Sequence, residues 1–314
     1  MWRRVSRAAS SVVRTARRRG AVRDAAETIR RSRGASVVVV YHRVAERATP
    51  RYEIVPTVPR ELFRRQLEVF GELGLVVPLG ELLADPAPEG PPRFALTFDD
   101  DLGSHADQVV PVLRDLGLAA TFFLSGRALH GLGGYWFERL EAMILERGVA
   151  ASATAIGVSA DSDLALARAC EQEPRARAEV ERLAPSAPCS LTEDGIRALG
   201  AAGATIGFHT LHHEVLPALD DRAARLALTD GRRELEAVVG APMPWFAYPH
   251  GKVDARIAAL VRDAGFTDAW TTTPAEPGSD GDRCVRGRWD PLPVSTDHVI
   301  IRLGALLASA DPSR

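Results

Sequence analysis

Residues 93–101 read Arg-Phe-Ala-Leu-Thr-Phe-Asp-Asp-Asp. The run 94–98 is apolar and β-prone without a polar alternation, as in a strand covered on both faces, and it stops abruptly in three carboxylates. The same grammar recurs on either side. Upstream, Ser-Val-Val-Val-Val-Tyr at 36–41 ends in His42. Downstream, strand-like runs at 119–124, 205–208, 245–248 and 267–271 alternate with amphipathic stretches that follow Pro59 and fill 104–116, 192–202, 222–239 and 254–264. Strands alternating with helices of about 10–15 residues mean parallel βα units, and this many of them predicts a closed or nearly closed barrel. Residues 126–190 interrupt the alternation. Helical patterns at 136–146 and 164–183, with no strand signal, mark them as an insertion after the third strand, placed either over the barrel mouth to hold substrate or on its flank as packing.

Composition bounds the alternatives. The 314 residues are 46% hydrophobic and 25% charged, values of a globular protein rather than a disordered or coiled-coil one. No apolar run approaches the roughly 18–20 residues that cross a bilayer. Cys170, Cys189 and Cys284 form no C-x-x-C pair, so neither a disulfide framework nor a thiolate zinc site is expected and a reducing compartment fits. Charge is uneven. Residues 1–34 carry eleven arginines against Asp24 and Glu27, a balance of +9 in a chain of net −2, so the remainder carries −11. This segment lacks the apolar core of a secretory signal. It reads either as a solvated helical arm or as a basic helix meeting anionic lipid through Trp2, Val5, Val12 and Val13. A cytoplasmic protein, membrane-associated if the second reading holds, is the expectation, and no nucleic-acid recognition motif is present.

Chemistry concentrates where strands end. Asp99, Asp100 and Asp101 repel one another unless a cation or a helix N-terminus compensates. Asp101 is read as a helix N-cap residue, and Asp99 and Asp100 as aimed into the barrel mouth. After the strand at 205–208 comes His209-Thr210-Leu211-His212-His213; a helical turn there would bring His209 and His213 to one side, able to grip one ion, with His212 off that face. One carboxylate and two imidazoles form a facial triad suited to Zn²⁺, Co²⁺, Fe²⁺ or Mn²⁺, leaving a second carboxylate free to take a proton from water. A third cluster, Tyr248-Pro249-His250-Gly251, predicts a tight turn whose backbone N–H could stabilise an oxyanion.

In this order the three clusters resemble a polysaccharide deacetylase of the NodB-homology type, carbohydrate esterase family four. The resemblance spans about residues 37–307 and implies a deformed (β/α) barrel of about seven strands, with domain boundaries at 1–34 (basic arm) and 35–309 (catalytic domain with the helical insertion 126–190). The family's T-F-D-D-G is here T-F-D-D-D at 97–101, which makes Asp99 the general base and Asp100 a metal ligand. H-[ST]-x-x-H is matched at 209–213, making His209 and His213 the other ligands of one divalent ion, zinc first among the candidates. Tyr41-His42-Arg43 resembles the branch acting on poly-N-acetylglucosamine; His42 either faces the metal or caps its strand. Departures concern the third motif, R-x-P-Y-G, where Ala247 and His250 replace Arg and Tyr, so the arginine that orients the base is missing. Trp270 is the candidate acetyl-pocket aromatic, with Tyr248 and His42 as further substrate contacts. The L-x-x-H general acid has no match; His298, His250 and His42 are the candidates. His105 either reaches the pocket or lies on its helix. The implied reaction is one-step attack of metal-bound water on an N-acetylated amino sugar; a deformylase on the same site and a non-catalytic carbohydrate-binding module are the alternatives.

Overall fold

A computed structural model describes residues 2–47, 53–84, 89–184, 191–274 and 281–309, with side chains described from Arg17 onward except Pro174. Cys189, residues 85–88 of the Pro/Gly-rich link, and the side chains of Trp2, Val5, Val12 and Val13 lie outside this set. The centre is a seven-stranded, all-parallel sheet: β1 (Ser36–Tyr41), β2 (Leu75–Val76), β3 (Arg93–Asp99), β4 (Thr121–Leu124), β5 (Thr205–Phe208), β6 (Trp245–Ala247) and β7 (Asp268–Trp270). They pair in the order β1-β3-β4-β5-β6-β7, with β2 alongside the start of β3. Register sets Tyr41 opposite Phe98, Leu124 opposite Phe208, and Ala247 opposite Trp270, so the C-terminal strand ends form one rim. The curled parallel sheet agrees with the nearly closed barrel that the alternation predicts and with the deformed barrel that the resemblance implies.

Strand periodicity sorts β3 into two jobs. Phe94, Leu96 and Phe98 face the helices, where Phe98 stacks on Phe122 at 4.8 Å and on Tyr41 at 5.6 Å. Ala95 faces the barrel interior with Phe123, Ala247 and Trp270, and the same alternation carries Thr97 and Asp99 to that side. Residues 286–289 then span the gap between the edge strands. Arg286 N–H donates to Ala269 O at 2.9 Å, and Trp289 N–H to Val38 O at 2.8 Å. Parallel bridges Trp270–Arg286 and Val39–Trp289 record the same link. The sequence reading assigned no element to this stretch.

Among the described residues the insertion forms four α-helices, α1 (Trp136–Arg147), α2 (Val149–Ile156), α3 (Asp163–Gln172) and α4 (Pro174–Leu183), around a core of its own that includes Trp136, Leu140, Leu166 and Val180. The single helix expected over 164–183 breaks at Glu173, whose extended backbone precedes Pro174. The helix expected over 222–239 is likewise two, Asp221–Ala227 and Arg232–Val239, parted by Gly231 at φ 73°.

The 30-residue helix Trp2–Arg31 buries Ile29 completely, and its Ala25 lies against Gly304 of the C-terminal helix Thr296–Ser309. A Cβ on Gly304 would come within 2.8 Å of Ala25 Cβ, so the missing side chain is what admits the close crossing. Arg18 adds an ion pair with Asp297 at 2.9 Å. Among the described residues no helix is long and apolar enough to cross a membrane.

Candidate active site

Asp99, the last residue of β3, points into the barrel and meets Arg288 from the spanning segment. Each carboxylate oxygen accepts one guanidinium N–H, both at 2.6 Å. Arg288 also donates from Nε to Thr271 O at 3.0 Å and from Nη1 to Thr97 Oγ1 at 3.2 Å. Both side chains are buried. Burial alone would raise the Asp99 carboxyl, but the Arg288 charge and its two hydrogen bonds bring it down to about 2. Asp99 is therefore a fixed carboxylate. The third motif lacks the family's arginine at Ala247; in the fold an arginine reaches Asp99 from elsewhere in the chain.

Asp100 turns the other way because its backbone is left-handed, at φ 74°. Its Oδ1 lies 3.6 Å from His209 Nε2 and 3.5 Å from His213 Nε2, and it is buried with no hydrogen-bond partner among the described residues. One donor atom from each of the three residues lies within 4.8 Å of the others. The histidines converge through an irregular turn and not the helical turn inferred from their spacing: Thr210 and His213 stand at φ 51° and 55°. With His250 at φ 57°, four of the five non-glycine residues with positive φ among those described are at this rim.

His209 donates Nδ1–H to Ala247 O at 2.8 Å, which leaves the Nε2 lone pair facing Asp100. Burial lowers His209 to about 4 and, aided by the neighbouring His250 and His209, pushes His213 well below its usual value, so both rings are neutral donors. Asp100 is pushed well above the carboxylate range, by burial first and Asp99 next. Two neutral imidazoles and an orphaned buried carboxylate oxygen fit a divalent cation, which would supply the missing compensation.

Asp101 is not a helix cap. It is fully buried, and its oxygens accept the backbone N–H groups of Ser125 and Arg127, both at 2.7 Å. Its own N–H donates to Tyr135 Oη at 3.0 Å, and its carbonyl accepts Leu191 N–H at 2.6 Å. Thus both roots of the insertion are fastened to the Asp99–Asp101 turn. His105 does not reach the cleft either; it lies behind the turn, fully buried.

A cleft of about 310 Å³ opens above these groups, lined by His42, Asp99, Asp100, His209, His213 and His250, with Trp136 and Phe137 of the insertion opposite. His42 is partly exposed, with Nε2 3.9 Å from Asp99 Oδ2. The His250 ring lies 4.5 Å from that of His213. Three sequence candidates lie elsewhere. His298 sits exposed on the C-terminal helix with Nδ1 against Ser295 Oγ at 2.9 Å, and it does not line this cleft. Tyr248 is buried and donates its hydroxyl to Cys284 O at 2.6 Å. Trp270 is fully buried inside the barrel, 5.4 Å from the Phe123 ring, and does not line the cleft. The aromatic wall comes from the insertion instead, and the sequence carried no signal for it beyond the insertion's position.

The profile of a family described as polysaccharide deacetylase matches residues 87–269. The chain belongs to the polysaccharide deacetylase family. This deacetylase is therefore, by class, a hydrolase of carbon–nitrogen bonds other than peptide bonds that acts on N-acetylated saccharides. Its fold is similar to that of the Streptococcus pyogenes deacetylase PplD, solved in complex with acetate: TM-score 0.61, 16% identity, 88% of this chain and 99% of that one. IcaB from Ammonifex degensii gives 0.55 at 20% identity, covering 87% and 97%. A de-N-acetylase from Aggregatibacter actinomycetemcomitans gives 0.55 at 15%, covering 83% and 95%. At such identities the likeness is one of fold. No curated protein matches the sequence.

Proposed function

We propose that this deacetylase removes the N-acetyl group of an amino sugar in one hydrolytic step at a divalent ion held by Asp100, His209 and His213. One observation carries the reading: a metal-ready triad stands next to a second carboxylate, Asp99, that Arg288 keeps ionised and out of the ligand set. When bound, the ion, zinc or else cobalt, manganese or iron, supplies Lewis acidity toward the amide carbonyl and the attacking water. Asp99 takes the proton of that water. Held near 2, it is a carboxylate throughout the physiological range and passes the proton on instead of keeping it. His42, with Nε2 3.9 Å from Asp99 and its pKa lowered by desolvation, then carries that proton from Asp99 to the leaving amine; the short approach to Asp99 supports this role. Trp136 and Phe137 exclude water from the opposite side of the cleft.

The test pairs metal analysis with product identification. Purified protein is expected to hold about one divalent ion per chain and to release acetate from an N-acetylated amino-sugar oligomer, with chelation abolishing release. Formate from the N-formyl analogue in preference to acetate would change the acyl group. Undiminished turnover in chelator, or no ion retained after reconstitution with zinc, cobalt or manganese, would overturn the metal mechanism.

A further inference from the structure

The turn that presents Asp100 is strained, and something must hold it. A residue with a Cβ in the left-handed region costs on the order of 1–2 kcal/mol. Relaxation of that one φ would swing Asp100 Oδ1 away from His209 and His213. On one side the turn is gripped through the Asp101 N–H, which Tyr135 Oη accepts at 3.0 Å. On the other side stands His105. Its Nε2 lies 3.0 Å from Asp99 O and 3.0 Å from Asp100 O, so the N–H bridges the carbonyls of both carboxylate residues.

A core selected for stability alone would not put a histidine here. The ring is fully buried and packs edge-on against Phe98 at 5.7 Å and Phe122 at 5.2 Å. Its Nδ1 is buried, with no hydrogen-bond partner among the described residues. An orphaned buried acceptor costs about 1–3 kcal/mol, comparable to the net worth of the bonds that Nε2 makes, so the ring brings little or no net stability over an apolar side chain of similar size. What an apolar side chain could not do is hold the two carbonyls. His105 also opens the π-helical turn His105–Val109, a local irregularity that departs from the simple helix expected over 104–116 and sets the ring beneath the catalytic turn.

We propose that His105 is a positioning residue: by holding the Asp99 and Asp100 carbonyls it keeps the Asp100 carboxylate on the two imidazoles. The inference rests on the metal reading above, and Co²⁺ is the probe. His105→Gln and His105→Met are similar in length and differ in the N–H donor. In the full chain, His105→Met is expected to weaken Co²⁺ binding by about 10–100-fold, the range of lost outer-sphere partners. The visible band of the bound ion should change, while the melting temperature of the metal-free protein holds or rises. His105→Gln should stay within about threefold of wild type.

Equal Co²⁺ affinity in the two variants would overturn the proposal. So would a Met variant that fails to fold, or melts lower in proportion to its lost affinity, since either outcome makes His105 structural. Should the wild-type chain itself bind no Co²⁺, the metal reading falls and this inference falls with it. Should wild type bind Co²⁺ and release acetate while His105→Met matches it, only this inference falls.

Discussion

Arg288 and Asp99 share two hydrogen bonds of 2.6 Å in a fork-to-fork pair, although 189 residues separate them in the chain. The pair solves the problem that three consecutive carboxylates pose. Asp99 is neutralised by a guanidinium, Asp100 is turned toward two imidazoles, and Asp101 is capped by backbone amides. Arg288→Lys keeps the charge but loses the fork, and is expected to lower kcat/KM on the order of 10²-fold through misplacement of the base. Its acidic limb should move up from about 2 toward the ordinary carboxylate range, as a pH–rate profile would register. Arg288→Ala leaves a buried unpaired carboxylate and should cost about 3–5 kcal/mol in denaturant unfolding.

Asp99 and the ligands are separable. Asp99→Asn should remove turnover while about one ion stays bound, because Asp99 lies outside the proposed ligand set. His213→Ala should lose both ion and turnover. Elemental analysis beside an acetate assay distinguishes the two variants; near-full activity of Asp99→Asn would reject its role as base.

His105 also makes a pH prediction for the metal-free protein. Burial, its largest influence, lowers its pKa to about 4 in the fold, against about 6.5 in the unfolded chain. Between those values the unfolded state binds the extra proton, so stability is fully present above 6.5 and is lost as pH falls toward 4. His105→Met has no such proton. It should gain on wild type by up to about 1.4 kcal/mol per pH unit across this window, and no further below it. Urea midpoints at pH 7, 5.5 and 4.5 measure the divergence.

The helix Trp2–Arg31 is tested through Ile29, which is fully buried. Ile29→Ala should cost about 2–5 kcal/mol, as for a core position. A free arm would show a change near zero. Gly304→Val, forced against the Ala25 backbone, should act in the same direction. Thermal unfolding of both variants decides whether the basic segment is part of the folded body.

Gly251 stands at φ 64°, and a Cβ there would lie 2.1 Å from Thr272 Oγ1. Gly251→Ala therefore carries both a backbone penalty of about 1–2 kcal/mol and a clash beside the cleft. It should lower the melting temperature and shift His250, whose ring position a change in its NMR signals would follow.

What the sequence by itself determined are the features carried by neighbours along the chain. The buried strand at 94–98, its carboxylate ending and the paired histidines after 208 are local patterns, since strand burial and strand-end chemistry repeat every few residues. They sufficed for the barrel and for the residues that gather at its rim. Tertiary structure alone decided which distant groups complete that rim. Arg288 lies in a stretch with no strand periodicity, because it joins each edge strand through a single bridge. The resemblance makes Trp270 the candidate acetyl-pocket aromatic, yet strand alternation turns it into the barrel core, and Trp136 of the insertion lines the cleft. Order along the chain puts His298 first among the candidate acids, with His250 and His42 as alternatives; the curled sheet brings His42 to 3.9 Å from Asp99 and His250 to the cleft, and leaves His298 on the outer helix. Periodicity reports which face of an element is buried, but which two faces meet depends on how the sheet curls and closes, and no short stretch of chain encodes that.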